Sequence, residues 1–205
     1  MSKTHNINQE PAKIFNNPIL ERMTHTHVSI PIGIFVLYSA ALVYWAATYT
    51  NIGLVAIPLL FVSGFLFFTF VEYWAHRKLY HIEPSTPRKK RMQYIMHGVH
   101  HDHPKDKTRL AMPPLASIVL ATVFHGLFYL VLNQYAFSFS GGFLVGYAFY
   151  LLVHYSVHAY RPPKSKLNIF WRHHALHHYK YPELAFGVSS PLWDLVFRTM
   201  PPTEK

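Results

Sequence analysis

Two long stretches, residues 28–71 and 111–160, contain no Lys, Arg, Asp or Glu. No other feature restricts the fold as much. Each is long enough for two crossings of about 20 residues through ~30 Å of hydrocarbon. In lipid every backbone amide must find its partner inside its own segment, so the spans must be helical. The expectation is an all-α integral membrane chain with four transmembrane helices in two hairpins, over about 28–50, 52–74, 113–132 and 143–160. Asn51 and Gly53 are expected to turn the first hairpin, Pro58 to kink its second helix, and Asn133 to Gly142 to connect the last two helices. Pro113 and Pro114 suit the first turn of the third.

The bases report the orientation. Residues 1–27, 75–110 and 161–205 hold 3, 9 and 7 Lys or Arg, which is all 19, and the short connections near Asn51 and Gln134 hold none. An even number of crossings puts both termini and the long middle loop on one side, which the positive-inside rule makes cytoplasmic. Residues 1–27 are read as a cytoplasmic N-terminal segment without the marks of a cleaved signal peptide. Residues 28–205 are read as a single membrane domain whose cytosolic, helical cap comprises 75–112 and 161–205. The net charge of +10 then reflects topology, not a nucleic-acid partner. The run Arg88–Lys89–Lys90–Arg91 can act as a topogenic signal facing solvent or hold anionic headgroups at ~1 kcal/mol per base. There is no Cys. That excludes disulfides, thiolate-ligated haem and cysteine-held iron–sulfur clusters, and leaves the redox compartment open.

Twelve of the 16 histidines fall in two windows, 76–103 and 154–178. His97, His100 and His101 are spaced i, i+3, i+4, and His174, His177 and His178 repeat that pattern. His154 and His158 are i, i+4. Such offsets put side chains on one helix face, ~5–6 Å apart at Cβ, where several nitrogens can meet one metal. His76 and His81, at i, i+5, would splay on a regular helix, so the helix is expected to end or unwind there. All four groups belong to one face of the membrane in the topology above, and the two windows, each following a helical hairpin, hint at two similar halves. Ten imidazoles are too many for one closed four-ligand zinc site, but suit two metals with about five ligands each and an open position for oxygen or water. Imidazole does not choose among iron, copper, nickel and zinc. The absence of Cys and of paired Glu-x-x-His motifs separates the pattern from the di-iron carboxylate bundles.

The remaining histidines read differently. His5, His25 and His27 precede the first span, and His125 reads as a buried, paired polar group. His103 and His173 adjoin the clusters but fall off their phase. Glu72, one turn before His76, is a candidate to accept that ring's other N–H and fix its tautomer.

At these residues the chain resembles the fatty acid hydroxylase superfamily, which includes sterol desaturases and carotenoid hydroxylases. The branch it is most similar to is the fatty acid 2-hydroxylases. The resemblance covers about residues 70–200. It rests on His76-Arg-Lys-Leu-Tyr-His81, on His97-Gly-Val-His-His-Asp-His-Pro104 leading into Arg109-Leu-Ala-Met-Pro-Pro114, on His154-Tyr-Ser-Val-His158 and His174-Ala-Leu-His-His178, and on Phe186-Gly-Val-Ser-Ser-Pro-Leu-Trp-Asp194. It implies that the metal ligands are His76, His81, His97, His100, His101, His154, His158, His174, His177 and His178. It also implies a non-haem dimetal monooxygenase, with iron in the active enzyme and zinc possible in isolated protein. Its O2 co-substrate would deliver one oxygen to C2 of a fatty acyl chain, free or within ceramide or another sphingolipid.

Relatives with a fused cytochrome b5 domain place it before the membrane domain. With only 27 residues ahead of the first span, the expected donor is a separate cytochrome b5-like or ferredoxin-like protein docking on the basic cytosolic surface. Arg198 stands where the family usually has a small residue. The expected membrane is the inner membrane in a bacterium and the endoplasmic reticulum in a eukaryote. The alternatives are a sterol desaturase or carotenoid hydroxylase of the same superfamily, and a membrane metal carrier or sensor. A carrier should place polar groups through the bilayer centre, where the spans offer little beyond His125 and scattered Ser and Thr.

Overall fold

A computed structural model describes residues 13–202 of the chain; His5 lies outside them. The described residues are helical and contain no strand. A short helix α1 (Pro18–Met23), capped by Asn17, precedes α2 (Ser29–Tyr49) and α3 (Ala56–Trp74). Then follow α4 (Pro87–Gln93) and α5 (Val99–Asp102), the long pair α6 (Pro114–Leu132) and α7 (Ala136–Ala159), and finally α8 (Asn168–Tyr179) and α9 (Leu192–Val196).

Three continuous helical stretches are long and apolar enough to cross a membrane: Ser29–Tyr49, Ala56–Tyr80 and Pro114–Ala159. The third has 46 residues. An unbroken helix of that length would run about 69 Å, twice what a bilayer core needs. It is broken at Asn133, whose φ of 50° lies in the left-handed region. Beyond Asn133 the chain doubles back, because Phe124 packs on Phe143 and Phe128 on Phe139, an antiparallel order.

α7 is the centre of the fold and packs against α3, α2 and α6. Its buried face is built of small residues, among them Ser138, Ser140, Gly141, Gly142, Gly146 and Ala148. A Cβ added at Gly142 would overlap the Phe61 carbonyl, and one at Gly64 the Phe139 carbonyl. The α3 and α7 backbones therefore touch at two reciprocal glycines, the close approach that small residues permit between apolar helices. Hydroxyls lock the same region. Ser138 Oγ donates to the Ile57 carbonyl at 2.6 Å and Ser39 Oγ to the Gly141 carbonyl at 2.8 Å. On the outer faces Leu54, Leu130 and Val131 are more than four-fifths exposed, as lipid-facing side chains are.

Three expectations need correction and a fourth is refined. The connection predicted over Asn133 to Gly142 is only the turn Asn133–Tyr135, and α7 begins at Ala136. The Ser and Gly residues that looked like loop chemistry are the contact surface just described. The helix expected from about residue 52 starts at Ala56, with Ala56 N–H donating to Gly53 O at 2.8 Å. Pro58 lies in the first turn of α3 and produces no kink, since an amide there has no intrahelical acceptor to lose. Finally, the regular α-helix does stop before His76 and the helical run ends ahead of His81, as the i, i+5 spacing suggested, but the rings are not splayed. The helix widens into a π-helix over Ala75–Tyr80, with His81 N–H donating to His76 O at 3.2 Å. An i, i+5 bond stacks residues five apart, so both imidazoles stay on one side.

Candidate metal centre

Beyond the apolar helices, the chain folds α4, α5, α8 and α9 into a layer against the ends of α3 and α7. The ten spaced histidines meet there. They form two groups of five, His76, His81, His97, His101 and His177, and His100, His154, His158, His174 and His178. Within each group the nearest ring nitrogens lie within 4.8 Å of one another. The two triplets are divided between the groups. His97 and His101 serve one and His100 the other, while His174 and His178 serve the second and His177 the first. Each half of the chain thus lends one ring to the other half's cluster. The clusters abut, with the His101 and His178 rings stacked 4.2 Å apart.

The geometry fits metal ions. In the first group Nε2 of His97 lies 3.0 Å from that of His76 and 2.9 Å from that of His101, and His81 Nε2 lies 3.0 Å from His177 Nε2. In the second, His100 lies 3.0 Å from His154 and 3.1 Å from His178, and His174 lies 2.8 Å from His158 and 3.0 Å from His178. Ligands about 2.1 Å from a metal and at right angles sit about 3 Å apart. Tautomers agree. His76 Nδ1 donates to the Phe186 carbonyl at 2.5 Å and His177 Nδ1 to the Leu184 carbonyl at 2.8 Å. Both rings then turn a bare Nε2 lone pair inward, which a cation satisfies and a neighbouring lone pair does not.

The rings are held neutral. Burial, reinforced by mutual repulsion among the imidazolium forms, keeps His97, His100 and His174 well below the ordinary histidine value. Burial likewise lowers His81 and His177 to about 4 and His101 to about 3. Neutral imidazole is the form that ligates.

Sequence reasoning missed what orients these rings. Glu72 does not accept the other N–H of His76, which goes to the Phe186 carbonyl. Glu72 instead accepts Val188 N–H at 2.7 Å, Ser189 N–H at 2.9 Å and the Ser189 hydroxyl. Asp194, fully buried, accepts Phe186 N–H, Gly187 N–H, His173 Nε2–H and the Thr199 hydroxyl at 2.7–2.9 Å. Burial alone would raise the Asp194 carboxyl, but these donors outweigh it and hold it below its ordinary value. Two carboxylates therefore clamp residues 186–189, and that loop aims the Phe186 carbonyl at His76. The only hint in the sequence was that Phe186 and Asp194 bracket one of the resembling runs.

The other described histidines stay outside both clusters. His25 contacts Thr108 and Arg109, His27 contacts Ser29, and His125 bonds the Ser140 hydroxyl at 2.9 Å. His103 ends α5 without joining either group. Arg198 has φ 56° and follows α9, a left-handed position where glycine carries no Cβ penalty. That is a physical reason for the small residue expected there.

An apolar cavity of about 410 Å³ opens beside the clusters, and His97, His100 and His154 form part of its wall. The sequence profile of the fatty acid hydroxylases matches residues 61–199. The chain belongs to the fatty acid hydroxylase family. It is 35% identical to mouse fatty acid 2-hydroxylase, over 95% of this chain and 58% of that one. It is 31% identical to the Arabidopsis thaliana dihydroceramide fatty acyl 2-hydroxylase FAH2, over 94% of this chain and 81% of that one. A solved structure described as full-length scs7p, with only its hydroxylase domain visible, superposes with a TM-score of 0.79 at 31% identity. It covers 92% of this chain and 71% of that one. This family member spans just over half of the mouse relative's length. With its apolar helices and histidine clusters it is an integral membrane protein suited to binding metal.

Proposed function

We propose that this chain is an O2-dependent dimetal monooxygenase that hydroxylates C2 of a fatty acyl chain, free or within a ceramide-type lipid. The observation that carries the reading is the shared wall. One apolar cavity of about 410 Å³ is lined by histidines of both five-ring clusters. Reaction at C2 consumes O2, two electrons and two protons, and yields the 2-hydroxyacyl product and one water. The ten histidines would hold two ions, iron in the working enzyme and zinc as a replacement, and the bound pair would supply the O2 chemistry. The chain's own contribution is positioning. Leu110, Met112 and Leu151 give the acyl tail an apolar, water-excluding wall. Phe186 and Leu184 fix the tautomers of His76 and His177.

We read the membrane topology as four crossings, α2, α3, α6 and α7, with the cap and both ends cytoplasmic. The break at Asn133 and the concentration of bases outside the apolar helices support it. Electrons would come from a separate cytochrome b5-like or ferredoxin-like carrier, and the exposed bases Arg88 to Arg91 offer an acidic carrier a complementary surface. A ring-shaped sterol is disfavoured by comparison, since the relatives above are named for acyl substrates.

The test is expression in a host that lacks 2-hydroxy lipids. Mass spectrometry should find acyl chains heavier by one oxygen, with the hydroxyl at C2. Metal analysis of protein purified without chelator should find two ions per chain. Unchanged acyl chains in a strain supplied with a donor would overturn the reading.

A further inference from the structure

Arg109 is a nearly buried cation in the wall of the cavity that the histidine clusters share. Its hydrogen bonds are incomplete. Nη2 donates to Glu21 Oε1 at 2.5 Å and approaches His25 Nε2 at 2.9 Å. Nε lies 3.5 Å from Asp106 Oδ2, close enough for an ion pair but not for a bond that satisfies its N–H. Nη1 has no acceptor among the described residues, although it is shielded from solvent. A guanidinium donor left unmade at depth costs free energy, so a partner is expected from whatever fills the cavity.

We propose that Arg109 Nη1 donates to the carbonyl oxygen at C1 of the acyl substrate and so sets which carbon reaches the metals. This rests on the cavity being the acyl site. C2 is one bond from C1, so a C1 oxygen fixed in the cavity whose wall includes His97, His100 and His154 would bring C2, not a carbon farther along the chain, toward the clusters. The guanidinium is already flanked by two carboxylates, Glu21 and Asp106. A further anion would meet two like charges there, whereas a neutral carbonyl accepts the donor without that repulsion. The arrangement therefore selects a neutral acyl group, such as an amide, over a free carboxylate. Glu21 has a further part. Its other oxygen accepts the amides of Ile14 and Phe15, both in the cavity wall, so that the ion pair also seats the chain segment closing this side.

The experiment uses the full chain with its native metals in detergent. Binding of N-octanoyl sphingosine carrying a fluorescent sphingoid base is measured directly, and octanoate is the competitor. Arg109→Lys keeps a cation for Glu21 but loses the Nη1 donor, and should bind the amide about tenfold or more weakly. Its residual product should include hydroxylation beyond C2. Glu21→Gln removes one flanking charge and should improve octanoate binding severalfold relative to the amide, a gain that misfolding cannot imitate. Wild-type selectivity and regiochemistry in both variants would overturn the role of Arg109 while 2-hydroxylation by the parent chain keeps the proposed function. A parent chain that neither binds the amide nor makes a 2-hydroxy product would overturn both.

Discussion

Asp194 Oδ2 receives the Nε2–H of His173 at 2.9 Å, and the same oxygen receives Gly187 N–H at 2.8 Å. One buried carboxylate thereby ties α8 to the loop that orients His76. Asp194→Asn should turn an amide N–H₂ toward two donors, destabilise the fold by about 2–3 kcal/mol and weaken metal binding ~10–100-fold. Thermal unfolding and metal content of the purified protein check both, and wild-type values would deny the clamp.

The division of the triplets predicts a stoichiometry. His177→Ala removes a ring from one cluster, and His100→Ala removes one from the other. Each should abolish turnover and lower bound metal from two ions per chain toward one. His5→Ala should change neither. Elemental analysis beside an activity assay decides, and two fully retained ions in either cluster variant would remove that ring from the ligand set.

Glycine at the helix contact can be separated from glycine in a helix at large. Gly126→Ala meets nothing within 4 Å and should stabilise α6 by about 1 kcal/mol, the ordinary propensity gain. Gly142→Ala drives a methyl into the Phe61 carbonyl and should destabilise by about 1–3 kcal/mol. The opposite signs, read by denaturation in one detergent, are the test.

Acid should act through the rings. His81 and His177 titrate near 4 in the fold and His101 near 3, against an ordinary 6.5. The unfolded chain takes up protons first, so stability from these groups is complete above pH 6.5 and is lost as pH falls toward 4. Bound metal competes with the same protons and should leave over the same descent. A pH series of unfolding temperature and metal retention, flat from 7 to 4, would contradict this.

Arg198 carries the opposite lesson from Gly142. Its φ of 56° burdens a non-glycine residue by about 1–2 kcal/mol. Arg198→Gly should recover part of that, net of glycine's greater freedom in the unfolded chain, and raise the unfolding temperature without changing turnover. A lower unfolding temperature would mean the arginine side chain makes a contact worth more than its strain.

Charge-free length and histidine spacing made the helices and the ten rings legible before any coordinates. Their partition was not. Steps of three and four residues rotate about −60° and +40° around a helix, so His100 and His101 diverge from His97 to opposite sides. Spacing shows a common face but does not show that two ring clusters divide it. The start of α7 was hidden because serine and glycine favour both turns and tight helix contacts. The carboxylates were hidden for another reason. Glu72 and Asp194 act on a loop more than a hundred residues from one of them, and a chain read in order offers no local sign of such a partner.

The exchange of rings sets an order on maturation. When the first hairpin and its following segment have left the ribosome, they can offer His76, His81, His97 and His101, but the fifth member of that nest is His177. The other nest needs His100 from the earlier half. Neither set of five rings is complete until α8 has been made, so a chain that stops short of it cannot assemble either nest.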